Sequence, residues 1–287
     1  DYIYGMIAKL LSESNISYIK WDMNRSITEC YSIAYPADQQ GEIFHRYILG
    51  VYDLYERLTS AFPEVLFESC ASGGGRFDPG MLYYAPQGWV SDDSDAVERL
   101  KIQYGTSMCY PLSSMGSHVS VIPNHQVFRN TPLHTRANVA YFGTFGYELD
   151  LNKLSDAEIE EVKAQIRFMK EYRELLQFGT FYRLKSPFNG NETVWMVVSE
   201  DKSKALVGYY RVLNGVNLPY SCVKLQGLDP DKLYENELAN TEHYGDELMN
   251  LGLITTDVSA GEVPQDAEPC TDFESRIYLL KEKQSTN

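Results

Sequence analysis

Two aspartates stand where the sequence could do chemistry. Asp22 sits within Tyr18-Ile19-Lys20-Trp21-Asp22-Met23-Asn24-Arg25, an apolar run that ends abruptly in polar residues, and Asp92 opens Asp92-Asp93-Ser94-Asp95, directly after Gly88-Trp89-Val90-Ser91. A run of that shape is how a barrel strand delivers side chains to its C-terminal mouth. Lys20, two residues earlier and so on the same strand face, helps keep Asp22 ionised and can bond a ligand hydroxyl; its plain structural role is an ion pair. Asp22 itself can act as a nucleophile or an electrostatic stabiliser, or merely cap the next loop. Two facing carboxylates suit glycoside hydrolysis: one attacks or stabilises an oxocarbenium-like centre, while the other gives and then takes a proton.

A third segment, Cys70-Ala71-Ser72-Gly73-Gly74-Gly75-Arg76-Phe77-Asp78, has three glycines that let backbone approach a sugar ring closely, or simply make a tight turn. It lacks the spacing of a phosphate-binding loop, and no helix is expected directly after it. Arg76 and Asp78 are expected to pair or to brace the loop. Asp93 and Asp95 compete with Asp92, but Asp95 stands where a helix N-cap belongs. His118 and His125 read as core or loop histidines.

The elements that must position these residues alternate. A helix over 2–14 puts Ile3, Ile7, Leu10 and Leu11 on one face, with Asp1 as its cap. A strand over 17–21 follows, then a helix over 41–62 ended by Pro63, and a strand over 65–69. Short strands are expected over 88–91, 118–122 and 146–151, with helices over 96–108 and 131–142, the latter with Pro132 in its first turn. Ser155 and Glu158 form a capping box opening a long helix that runs to about Gly179.

That makes about five strand–helix units before residue 180, where a complete (β/α)₈ barrel needs eight in roughly 250 residues. The fold expected is α/β: a partial TIM barrel, about strands 4 to 8, over 1–179. Apolar runs at 193–199, 204–211, 223–225, 232–234 and 275–281 predict a small antiparallel β-sandwich domain over 180–287, with an acidic surface loop over 257–272. Half a barrel exposes strand edges, so the chain is expected to be the C-terminal part of a larger polypeptide, with the missing N-terminal part as its partner. An open doubly wound sheet is the alternative, and needs no missing half.

Composition narrows the ligand. The 287 residues carry 40 acidic against 25 basic side chains, a formal charge of −15, which disfavours nucleic acid and anionic membranes and favours a neutral ligand. The 22 tyrosines suit the apolar faces of sugars as well as an ordinary core. Cys30, Cys70, Cys109, Cys222 and Cys270 are widely spaced, odd in number and without a CxxC pair, which points away from a zinc site or a disulfide framework and towards a reducing, cytoplasmic setting.

KWDMNRS, FESCASGGGRFDPGMLYY and PQGWVSDDSDAVERLKIQYG together resemble the catalytic-domain motifs of the family 36 glycoside hydrolases, bacterial α-galactosidases acting on raffinose-type sugars and melibiose. The resemblance covers residues 1 to about 180, continues through SHVSVIPNHQ and FGTFGYELDL, and is weaker beyond. It implies a retaining mechanism with Asp22 as nucleophile and Asp92 as acid/base, without metal or organic cofactor. It also implies that Lys20, Cys70, Gly73 and Trp89 line the galactose pocket; Trp21 and Asn24, which flank Asp22, are further substrate-binding candidates. Family members carry an N-terminal β-sandwich and the first barrel strands, which supply more of the pocket, so this chain alone is expected to be weak or inactive. The alternatives are an α-N-acetylgalactosaminidase, a galactosyl-transferring enzyme of the raffinose-synthase kind, or a non-catalytic sugar-binding module; a homo-oligomer is compatible with each.

Overall fold

The computed structural model describes residues 1–24, 27–72, 77–216, 221–255 and 272–283, and in it helices and strands alternate up to residue 178 and give way to an antiparallel sheet. The chain divides into two compact units, Asp1–Asp92 and Asp93–Asn287. Gly73 and almost all of the expected acidic loop fall outside the described residues.

The first unit runs α1 (Tyr2–Glu13), β1 (Tyr18–Asp22), α2 (Ile43–Ala61), β2 (Leu66–Cys70), α3 (Pro79–Tyr84) and β3 (Gln87–Gly88). The strands pair in parallel in the order β1-β2-β3, as helical crossovers require. Leu11, Val51, Tyr55, Leu58, Phe67, Met81 and Ala85 form the core between strands and helices. Tyr55 centres it, with its ring 5.0 Å from Trp21 and 5.6 Å from Phe67.

Three expectations change here. On α1 only Leu11 is buried and Ile7 half-buried, while Ile3 and Leu10 are exposed, because the face that meets the core is narrower than the apolar spacing suggested. Asp1 makes no side-chain cap; its carboxylate pairs with Arg57 at 3.1 Å instead. A short helix does follow the glycine segment: Asp78 accepts the Met81 N–H at 2.9 Å and Pro79 supplies the first turn, so a cap and an N1 proline start α3 without any phosphate-loop spacing. Asp78 also takes the Tyr52 hydroxyl at 2.7 Å, which makes it a brace.

The second unit holds α4 (Ala96–Thr106), β4 (Gly116–Ser120), α5 (Leu133–Ala140), β5 (Thr144–Glu148) and α6 (Asp156–Phe178). Strands β4 and β5 pair in parallel from Gly116↔Thr144 to Ser120↔Glu148, two residues earlier than expected from the sequence. Pro132 is the N-cap of α5 rather than part of its first turn. The capping box is present, with Ser155 and Glu158 each bonding the other's backbone N–H.

There follow β6 (Thr180–Lys185), β7 (Glu192–Val198), β8 (Lys204–Arg211), β9 (Cys222–Val223), β10 (Leu233–Asn236), β11 (Thr241–Tyr244), α7 (Gly245–Asn250), β12 (Leu253–Ile254) and β13 (Glu274–Glu282). Six of these strands form one antiparallel sheet in the order β11-β10-β13-β8-β7-β6, and β9 with β12 makes a separate two-stranded pair. The expected sandwich is thus one large sheet with a small second layer. Val194, Met196, Val207, Tyr209 and Tyr278 form one core with Val223 and Leu253 of that layer, Leu248 of α7 and the loop residue Leu228. On the opposite face Trp195 meets Phe142 at 5.5 Å and Tyr210 at 5.1 Å. Covering both faces explains why β7 and β8 read as continuous apolar runs rather than as alternating ones.

The first unit's core generates a stability prediction. Phe67 is 2% exposed and contacts the rings of Trp21 and Tyr55. Phe67→Ala should cost about 3–5 kcal/mol, and Phe67→Leu less than half of that, as read from urea unfolding followed by tryptophan fluorescence.

Candidate active site

Strand alternation sorts the residues of β1. Lys20 and Asp22 share one face, and Trp21 points to the other, where it packs on Tyr55 and Phe67. Trp21, expected to touch substrate, is therefore not brought to Asp22; it serves the core behind the strand. The parallel register places Lys20 opposite Glu68 and Asp22 opposite Cys70. Two backbone bonds carry this order to the strand ends: Met23 N–H to Cys70 O at 2.8 Å, and Trp89 N–H to Ser69 O at 2.9 Å. Gly88, just before Trp89, has no room for a side chain, since a Cβ there would lie 2.4 Å from the Phe77 ring.

Asp22 is exposed and is held by two donors. The Asn24 side-chain amide donates to its Oδ2 at 2.8 Å, and the Cys70 thiol bonds the same carboxylate. Burial, reinforced by that carboxylate, pushes the Cys70 thiol up to about 11, so near neutrality the group keeps its proton and acts as the donor. A carboxylate oxygen accepts from both groups, and the two contacts fix the orientation of Asp22.

Lys20 places its ammonium 3.5 Å from Glu68 Oε1 and 4.2 Å from the centroid of the Trp89 ring. The same indole donates its N–H to Asp92 Oδ1 at 3.1 Å. Trp89 is buried and Asp92 is exposed, so a buried ring presents the acid to solvent. Of the competing carboxylates, Asp95 is 1% exposed, caps α4 through the Val97 and Glu98 N–H groups and pairs with Arg129; its role is structural. Asp93 accepts the Asp95 N–H at 3.0 Å.

The arrangement therefore gathers Lys20, Asp22, Asn24 and Cys70 at the ends of β1 and β2, and ties Asp92 to Trp89 beyond β3. It offers one oriented carboxylate, a second carboxylate on an indole N–H, and a cation beside an aromatic face. Among the described residues no group of three or more His, Cys, Asp or Glu is placed to hold a metal ion.

Residues 1–179 match the family model for melibiase, and residues 192–280 that for the glycosyl hydrolase family 36 C-terminal domain. The chain belongs to the melibiase family. It is 56% identical over 253 residues to alpha-galactosidase AgaA of Geobacillus stearothermophilus, an alignment that covers 88% of this chain and 35% of that protein. The structure of a GH36 AgaA variant in complex with raffinose superposes with a TM-score of 0.91 at 52% identity, covering 99% of this chain and 38% of the other. The alpha-galactosidase of Lactobacillus brevis gives 0.94 at 48% identity, with 100% and 38% covered. This melibiase-family chain thus spans little more than a third of the length of these relatives.

Sequence reasoning passed over Glu68 and Tyr18. Glu68 is 3% exposed, and its carboxylate takes the Tyr18 hydroxyl as well as facing Lys20. A signal was present: Glu68 is the single charge within Leu66–Cys70, two residues before Cys70 and so on its face, as Lys20 is to Asp22.

Cys70 supplies a pH test. The folded chain holds the thiol proton more tightly than the unfolded chain, so stability is full below about pH 9 and falls as pH rises towards about 11. Cys70→Ala should flatten that part of the urea-midpoint profile relative to the parent. Iodoacetamide at pH 8 should label exposed Cys30 and Cys109 well before Cys70, as followed by peptide mass spectrometry.

Proposed function

We propose that the protein to which this chain contributes is a retaining α-galactosidase that releases terminal α-galactosyl residues from oligosaccharides such as raffinose or melibiose. The observation that carries the reading is Asp22, a strand-end carboxylate oriented by Asn24 and Cys70, on the same strand face as Lys20. Family membership and the raffinose complex of an AgaA variant support the substrate class.

In this reading Asp22 attacks the anomeric carbon while Asp92 protonates the departing glycosidic oxygen. Asp92 then takes a proton from the water that opens the glycosyl-enzyme, which restores the starting configuration. Such a mechanism asks for carboxylates about 5–5.5 Å apart during turnover. Lys20 donates to a galactose hydroxyl, Trp89 offers an apolar ring face, and Cys70 and Asn24 border the same pocket. Residues 1–179 act as about strands 4 to 8 of a (β/α)₈ barrel and 180–287 as a C-terminal β domain. The remainder of the relatives' length corresponds to an N-terminal part that completes barrel and pocket. We infer a reducing, cytoplasmic setting, with which the four cysteines among the described residues, all free, accord.

The test uses the complete enzyme. It should hydrolyse an aryl α-galactoside and spare the matching α-N-acetylgalactosaminide. Asp22→Gly should abolish turnover, and external azide should restore it with formation of a galactosyl azide. Asp92→Asn should slow raffinose hydrolysis by about 10²–10⁴-fold, with a smaller loss on aryl substrates whose leaving groups need no proton. Full activity of Asp22→Gly would remove the nucleophile from this reading.

A further inference from the structure

The proposed chemistry leaves the buried charge of Glu68 without a task. Glu68 lies in the middle of β2 at 3% exposure, a place where a carboxylate is costly unless it is balanced. The Tyr18 hydroxyl donates to its Oε2. Burial, and then this bond, raise the Tyr18 phenol far above its ordinary value, so the hydroxyl remains a donor. Among the described residues no hydrogen-bond donor satisfies Oε1, and the Lys20 ammonium at 3.5 Å is what balances it. Lys20 is the more exposed partner, with a side chain 37% accessible against 4% for Glu68. The immobile member is therefore the carboxylate.

We propose that Glu68 is a positioning residue for the α-galactosidase reaction, which fixes the Lys20 ammonium where a galactose hydroxyl is recognised. The inference rests on the function proposed above and extends it. A free lysine arm would sample many rotamers and reach into solvent. Here the buried anion holds the ammonium from one side, and the Trp89 face holds it from another at 4.2 Å. Because that indole also gives its N–H to Asp92, a chain of contacts Tyr18–Glu68–Lys20–Trp89–Asp92 joins the interior of β1 and β2 to the acid/base carboxylate. Glu68 touches no reacting atom; it acts through Lys20.

The experiment is a double-mutant cycle in the complete enzyme, with an aryl α-galactoside as substrate. Glu68→Gln keeps the shape and the acceptor for Tyr18 while removing the charge. It should raise KM about tenfold, the factor expected for one weakened charge-assisted hydrogen bond, with a smaller change in kcat. Lys20→Met should raise KM at least as much, and the double variant should be no worse than Lys20→Met alone. Thermal unfolding supplies the complementary readout. Lys20→Met strands a buried carboxylate and should lower Tm, and adding Glu68→Gln should recover much of that loss without recovering KM. Should Glu68→Gln fail to fold, Glu68→Asp, which keeps the charge on a shorter arm, enters the same cycle with the same expectation of no further loss beside Lys20→Met. A variant with parental KM and a lowered Tm, or effects on KM that multiply in the double variant, would overturn the positioning role. An inactive parent enzyme would instead sink the α-galactosidase reading itself.

Discussion

Strand β1 lies against β2 in a register that sets Lys20 beside Glu68 and Asp22 beside Cys70, and the rest of the candidate site depends on that pairing. A slip of one residue would exchange the two faces of the moved strand. Lys20 or Glu68 would enter the aromatic core, and Ile19 with Trp21, or Phe67, would meet the polar side. The core prevents this. Trp21 and Phe67 are locked on Tyr55, and backbone bonds from Leu66 to Ser17 and from Met23 to Cys70 close the pairing at either end. The apolar face thus sets the register, and the register places the charges.

On the polar face the groups are arranged so that no charge stands alone. The Asp22 carboxylate meets an amide and a protonated thiol, and the Glu68 carboxylate meets a phenol and an ammonium. Burial assigns the protons: it raises the Cys70 thiol and the Tyr18 phenol, so both remain donors at neutral pH. Trp89 serves two partners with one ring, offering its face to Lys20 and its N–H to Asp92. Such a ring can do both because its negative face and its polar edge point in different directions.

The second unit shows the same division between apolar framework and polar detail. Asp95 caps α4 and holds Arg129, and Ser155 with Glu158 opens α6, each a local bond visible in residue order. The six-stranded sheet instead depends on long-range closure. Its last strand, β13, inserts between β8 and β10, so the chain's final described strand completes the centre of the sheet. Edge strands β6 and β11 and the short β12 were not legible, since their apolar signals are brief, whereas β9 showed in the run at 223–225.

The sequence by itself determined the strand–helix rhythm, the caps at Asp95 and Ser155, the antiparallel texture after residue 180 and the motifs that carry the family. Each of these is local, written in spacing, propensity or a short string of residues. Only the tertiary structure decided that Trp21 faces the core, that Ile3 and Leu10 stay exposed, that Asp78 starts a helix, and that Glu68 and Tyr18 stand behind Lys20. The reason is physical. Which side of a strand is buried, and which charge meets which, is set by the neighbour strand's register and by the helix packed behind it, and neither is adjacent in sequence.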